Sequence, residues 1–302
     1  MRLVFETPGI LYLSNSSYFC KKIKPNTLIR TLTNSINKVA DQQFTTVSVD
    51  DKTGIATLTF NRPPANALNA LFMNEIQRAI HNLEQSKCRG LILTSASNRI
   101  FSARLDLKEC YKPDTRSLED FWCTLQNLWR TLFSTPLFTV ALLNGHAMAG
   151  GCILAVGSEY RIMLPNFKIG LNGTMAGLVV PTGLIDTYAN VMPCRRVAEL
   201  DLTSSRIYNS DEALKAGLID ELANSKEEAL EKCVAFINGF GQRTLTARAM
   251  TKLKFREQIL KNFEINRQLD LELFMTTIQK SAMQTYLGEY LQGLKDKKKV
   301  KA

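Results

Sequence analysis

The stretch LLNGHAMAGGCILAVG, residues 142–157, decides the fold. Leu142 and Leu143 close an apolar strand pattern, Gly145 interrupts it, and the pair Gly150–Gly151 opens a helix of small residues. Backbone N–H groups at a helix start lack intrahelical acceptors and carry the positive end of the helix dipole. A glycine pair there serves either close packing or the approach of a ligand to those N–H groups. A second strand-to-helix junction lies upstream, in NRIFSARLDLKE (residues 98–109), with Asp106 near the start of a helical turn. Two such N–H groups converging on one oxygen make an oxyanion hole.

Working outward, FTTVSVDDKTGIATLTFN (44–61) alternates on both sides of Asp-Lys-Thr-Gly, which predicts a hairpin. Leu68, Leu71, Phe72, Ile76, Ile80 and Leu83 recur at helical spacing. GLILTSA (90–96) reads as a buried strand, residues 117–134 as a helix and LFTVALLNG (137–145) as another strand. YRIML (160–164) and FKIGLN (167–172) are two short strands. This alternation of strands and helices predicts an α/β fold. From about residue 225 the strand signals stop and SKEEALEKCVAFINGF (225–240), LTARAMTKLKFREQIL (245–260) and the run to Lys297 are all helical. The expected organisation is an α/β core over 44–224 and a helical C-terminal region over 225–302.

The chain has 302 residues, 45% hydrophobic and 22% charged, with mean hydropathy −0.09, which is a globular composition. No stretch approaches the roughly 18 uninterrupted apolar residues of a membrane helix. The net charge is +10 and the pI about 9.3, so anionic partners have to be considered. Part of that charge lies in residues 1–43, where Arg2, Lys21, Lys22, Lys24, Arg30 and Lys38 face only Glu6 and Asp41 among many Ser, Thr and Asn. That composition predicts a mitochondrial presequence. The closing KDKKKVKA reads as a solvated helix end and is not a peroxisomal signal. No motif of a nucleic-acid-binding module accompanies the charge, so nucleic acid is not an expected partner.

Seven cysteines with no C-x-x-C pair argue for a reducing compartment and against a disulfide framework or a zinc site, so no metal is expected. The two histidines, His81 and His146, leave little for a histidine-based mechanism, and His81 lies in a helical surface pattern. One further segment calls for a ligand. In KIGLNGTMAGLVVP (168–181), Gly170 and Gly177 read as strand-end and turn residues, whereas Gly173, between Asn172 and Thr174, belongs to a loop that faces something.

Taken in order, PPANALN (63–69), GLILTSA, FSARLDL (101–107), LLNGHAMAGGC, YRIM, IGLNGTMAGLVVP, EALKAGLID (212–220) and IQKSAMQTYL (278–287) resemble the crotonase, or enoyl-CoA hydratase/isomerase, superfamily, and within it the isomerases. The resemblance covers residue 44 to the C-terminus. It implies a spiral of β-β-α turns with a helical C-terminal region that forms homotrimers or mixed trimers, and a place in fatty-acid β-oxidation in the mitochondrial matrix. It also implies an acyl-CoA or enoyl-CoA thioester as ligand, with no cofactor beyond the coenzyme A of the substrate. By the same resemblance, the N–H groups of Leu105 and Gly150 bind the thioester oxygen and the Ala103 carbonyl meets the adenine. Ala103, Arg104, Leu105, Asp106 and Leu107 line the ligand, with Asn172 near the reacting carbons.

Two positions depart from the family pattern. The isomerases carry their proton-transferring glutamate directly after the asparagine of GLN, and here that position is Gly173. The hydratases' second glutamate corresponds to Ile153, so both carboxylate positions are empty. Arg104 stands where the family has glycine. An arginine there either strains the turn, if its φ is positive, or reaches a phosphate or carboxylate.

Overall fold

The computed structural model describes residues 43–240 and 245–299. The expected presequence therefore lies, apart from Gln43, outside the described residues. Strands β1 (Thr45–Asp50) and β2 (Ile55–Phe60) form the expected antiparallel hairpin, with Thr45 opposite Phe60 and Asp50 opposite Ile55. Glu75, on helix α1 (Ala70–Gln85), accepts hydrogen bonds from the N–H groups of Phe44 and Thr45 and from the Thr45 hydroxyl, which fastens the start of β1 to that helix.

From β3 (Gly90–Ser95) the chain repeats one unit, a long strand, a short strand and a helix. β3 is followed by β4 (Ile100–Ser102), a 3-10 turn at Leu107–Cys110 and α2 (Thr115–Ser134). β5 (Phe138–Leu143) is followed by β6 (His146–Met148) and α3 (Gly150–Gly157). β7 (Tyr160–Met163) is followed by β8 (Lys168–Gly170), a 3-10 turn at Thr174–Ala176, α4 (Thr182–Val191) and α5 (Arg195–Ser204). The chain continues through β9 (Tyr208–Asn209), α6 (Ser210–Lys215) and β10 (Glu221–Leu222). The longer strands build a six-stranded sheet in the order β1-β2-β3-β5-β7-β10, and the shorter ones a four-stranded sheet in the order β4-β6-β8-β9. Apart from the β1–β2 and β8–β9 pairs, every pairing is parallel. β3 and β5 are buried at every residue, as parallel strands covered on both faces must be. This is the spiral of β-β-α turns.

Helices α7 (Lys226–Asn238), α8 (Leu245–Gln279) and α9 (Ser281–Lys299) complete the chain, matching the helical reading of that region. α8 is fixed by aromatic contacts with α2: Trp122 stacks on Phe274 with ring centroids 3.8 Å apart, and Trp129 meets Phe263 at 4.5 Å. Lys252 of α8 donates to the Leu137 carbonyl and pairs with Glu159, at 2.7 and 2.8 Å. α9 is held by Gln284, which donates to the Cys110 carbonyl and accepts from the Lys112 N–H. The helices α4 to α6 and the two-residue strands β9 and β10 were not expected from sequence. They are short, and their apolar residues form no sustained period.

The turns of the spiral lock together at glycines. A Cβ on Gly145 would lie 2.3 Å from the Ile100 nitrogen, and one on Gly151 would lie 2.0 Å from the Ser102 carbonyl oxygen. Backbone meets backbone there, so neither position has room for a side chain. Gly173 differs: its φ is −61°, and a Cβ would have no neighbour closer than 3.9 Å. Gly151→Ala should therefore cost about 1–3 kcal/mol or more through overpacking. Gly173→Ala should be neutral or stabilising by about 0.4–1 kcal/mol, because it only restricts the unfolded chain. Urea unfolding of the two variants measures both, and equal destabilisation would contradict this account.

Candidate active site

The segment after β4 passes in front of the start of α3. Its course is set by Asn66, whose side-chain amide donates to the Ser95 hydroxyl at 2.8 Å and the Phe101 carbonyl at 2.9 Å. The Asn66 side-chain oxygen accepts from the Arg62 N–H at 2.7 Å. Further along, Leu68 donates its N–H to the Arg104 carbonyl at 2.9 Å and accepts from the Asp106 N–H at 2.8 Å. A bridge that engages the two residues flanking Leu105 turns the N–H and carbonyl of Leu105 itself to the opposite side. A Cβ on Gly150 would lie 3.1 Å from the Arg104 carbonyl oxygen and 3.2 Å from its carbon, so the Arg104–Leu105 peptide abuts the first residue of α3.

The helix start is held in an uncommon conformation. Ala149 has φ 48° and ψ −106°, although it carries a side chain. Its N–H donates to the Gly170 carbonyl at 2.9 Å and its carbonyl accepts from the Ile153 N–H at 3.0 Å, so it is pinned from both sides. Backbone held this way costs on the order of 1–3 kcal/mol and persists only where its surroundings over-determine it. The strain sits beside Gly150, whose N–H, like that of Leu105, has no acceptor among the described residues. Such a pair of donors can bind one carbonyl oxygen and stabilise negative charge on it.

Both residues border a cavity of about 190 Å³. Ala103, Arg104, Leu105, Leu107, Gly150, Asn172 and Gly173 all line it, so the structure brings together residues read from three separate segments. The remaining walls are mostly apolar, from Trp122 and Leu125 of α2, Leu184 of α4 and the 178–181 loop. The 3-10 turn that follows Gly173 is anchored from below, where Thr174 donates to the Leu202 carbonyl and Met175 to the Ser205 hydroxyl. A second hollow, of about 560 Å³, lies behind this loop against α5 and shares Leu178, Val179 and Val180 with the first.

Asp106 is a correction to the expected ligand-lining set. Its carboxylate caps the 3-10 turn and pairs with Arg62 at 2.8 Å, and it does not border the cavity. The question of strain at Arg104 is also resolved, since its φ is not positive. Its guanidinium lies over the Tyr290 ring, 5.7 Å from the centroid, and donates to the Tyr290 hydroxyl. Tyr290 and Tyr286 of α9 both line the cavity and were missed from sequence. Only the recurrence of tyrosine four residues apart near the C-terminus could have signalled them, and that spacing fits any helix face.

No carboxylate is present among the described residues that line the cavity. Glu109 carries a carboxyl pushed up by burial and then by the charge of Asp106, but it stands outside the wall. The histidines are elsewhere too: His81 is exposed, and His146 accepts from the Lys168 N–H at 3.0 Å. Among the described residues, no three His, Cys, Asp or Glu side chains are placed to hold a metal ion. No described helix is long and apolar enough to cross a membrane.

The family profile described as enoyl-CoA hydratase/isomerase matches residues 50–301. Enoyl-CoA delta isomerase 1, mitochondrial, from rat is 35% identical over 255 residues, covering 83% of this chain and 88% of the relative. Its human counterpart is 33% identical over 255 residues, covering 83% and 84%. The crystal structure of human mitochondrial delta3-delta2-enoyl-CoA isomerase superposes with a TM-score of 0.80 at 33% identity, over 85% of this chain and 100% of that one. An enoyl-CoA hydratase from Bacillus halodurans shares the fold, with a TM-score of 0.72 at 21% identity. The chain belongs to the enoyl-CoA hydratase/isomerase family.

Proposed function

We propose that the protein is an enoyl-CoA isomerase-like acyl-CoA-binding protein of mitochondrial fatty-acid β-oxidation, retaining the thioester site and lacking the family's base. One observation carries this reading: the free N–H groups of Leu105 and Gly150 border a cavity whose described walls contain no carboxylate. In the proposed complex the thioester oxygen accepts from both N–H groups, the Ala103 carbonyl meets the adenine of the coenzyme, and the acyl carbons lie near Asn172 and Gly173.

Moving a double bond from C3–C4 to C2–C3 requires removal of a C2 proton, an enolate held at the thioester oxygen, and return of a proton at C4. The two N–H groups serve the enolate. The proton transfers need a side chain, and Gly173 has none. Loss of a general base typically costs about 10²–10⁴ in rate. An oxyanion hole with binding alone leaves residual catalysis of about 10³–10⁴ over water. Slow isomerisation is therefore the expected activity.

A second reading keeps the fold and gives up turnover, with the chain acting as a catalytically reduced paralogue in mixed trimers. Exposed apolar residues on α8 support assembly, since Phe255 is 84% and Ile265 78% exposed in the single chain. The mitochondrial matrix is proposed from the base-rich residues 1–43 together with the relatives named as mitochondrial.

Gly173→Glu should raise the isomerisation rate of a 3-enoyl-CoA by about 10²–10⁴, because the backbone at Gly173 accepts a Cβ without a close contact and the Leu105 and Gly150 N–H groups border the same cavity. The double variant Arg104→Gly with Gly173→Glu removes any obstruction by Arg104. Wild-type turnover equal to that of the double variant would show that another group is the base. Residues 1–43 fused to a reporter should direct it into mitochondria; a cytosolic reporter would contradict the proposed location.

A further inference from the structure

Arg104 is the one charged side chain among the described residues that line the cavity. It is half-buried, and no carboxylate lies within ion-pair distance of it among the described residues. Its sequence neighbour Asp106 is already engaged with Arg62. A half-buried guanidinium whose one side-chain hydrogen bond among the described residues goes to the Tyr290 hydroxyl keeps donors available to an anion in the cavity. Charged groups in such settings are ordinarily paired, and the side that faces Arg104 here is the ligand's.

We infer that the cavity is selective for acyl thioesters whose acyl group carries a free carboxylate, held by Arg104 with the Tyr290 hydroxyl beside it. This rests on the reading of the site as a thioester site. Two features support a carboxylate on the acyl group over a phosphate of the coenzyme. Arg104 directly precedes Leu105, the residue whose N–H takes the thioester oxygen, so its side chain starts at the thioester. Its guanidinium is directed to Tyr290, which lines the same cavity. Gly173 completes the arrangement: a glutamate there would set a negative charge in the same small cavity and repel an acyl carboxylate. The two departures from the family pattern thus act in the same direction, one adding a cation to the cavity and the other removing an anion.

The test is calorimetric titration of the full chain with pairs of thioesters matched in carbon number, succinyl-CoA against butyryl-CoA and glutaryl-CoA against pentanoyl-CoA. The expected result is tighter binding of the carboxylated member by roughly 10- to 100-fold, as for a charge-assisted hydrogen bond in a shielded site. In Arg104→Gln that ratio should fall to near one. The glutaryl-CoA methyl ester, titrated into wild type, should lose the same factor, which decides the matter even if the variant does not fold. Equal affinities within each pair in wild type would overturn the inference and leave the thioester site standing. A variant that weakens free coenzyme A and every thioester by the same factor would overturn it as well, placing Arg104 on a phosphate. Absence of binding by any thioester would overturn both the inference and the reading beneath it.

Discussion

The structure depends on one contact, backbone against backbone, where the chain leaving β4 crosses the start of α3. The absence of a side chain at Gly151 lets the Ser102 carbonyl oxygen come within 2.0 Å of where a Cβ would sit. The same freedom at Gly150 brings up the Arg104–Leu105 peptide. That crossing joins two successive turns of the spiral and also sets two unsatisfied N–H groups beside one cavity. Folding and, in the proposed complex, ligand recognition are served by the same few atoms. Gly151 belongs to packing, and Gly150 borders the cavity as well, so the two readings of the glycine pair hold at adjacent residues.

The site that results is preorganised at one end and empty at the other. The hydrogen bonds of Asn66, the Leu68 bridge and the pinned Ala149 hold the donors rigidly, which is what makes stabilisation of developing charge effective. Gly173, the position proposed for proton transfer, lies in ordinary helical geometry, and a Cβ there would meet its nearest neighbour at an unstrained 3.9 Å. Gly173 is therefore not demanded by the backbone. In the proposed reading, a residue dispensable to the fold stands where the base would be, which changes chemistry and not architecture.

Much of this was legible in the sequence because it rests on short-range rules. The hairpin at 44–61, the buried strands at 90–95 and 138–143, and the helical C-terminal region follow from periodicity and turn residues. The convergence of Ala103, Leu105, Gly150 and Gly173 was legible only through the ordered series of family landmarks, because residues on three segments carry no local sign of meeting. Asp106 was read near the start of a helical turn and does cap it, while its place in the 103–107 run does not bring it to the cavity, because its side chain turns to Arg62, 44 residues earlier. The tyrosines of α9 were missed since a helix brings them back over the cavity from nearly two hundred residues away.

The most direct test of the central claim, an intact oxyanion hole without a base, is the carbonyl of a bound thioester observed by carbon NMR. With acyl-CoA labelled at C1, the account predicts a downfield shift of the carbonyl resonance on binding, from polarisation by the Leu105 and Gly150 N–H groups. The C2 protons should meanwhile exchange with deuterated solvent no faster than in free thioester by more than the hole alone supplies. A bound thioester whose carbonyl resonance stays at its position in water would contradict the account.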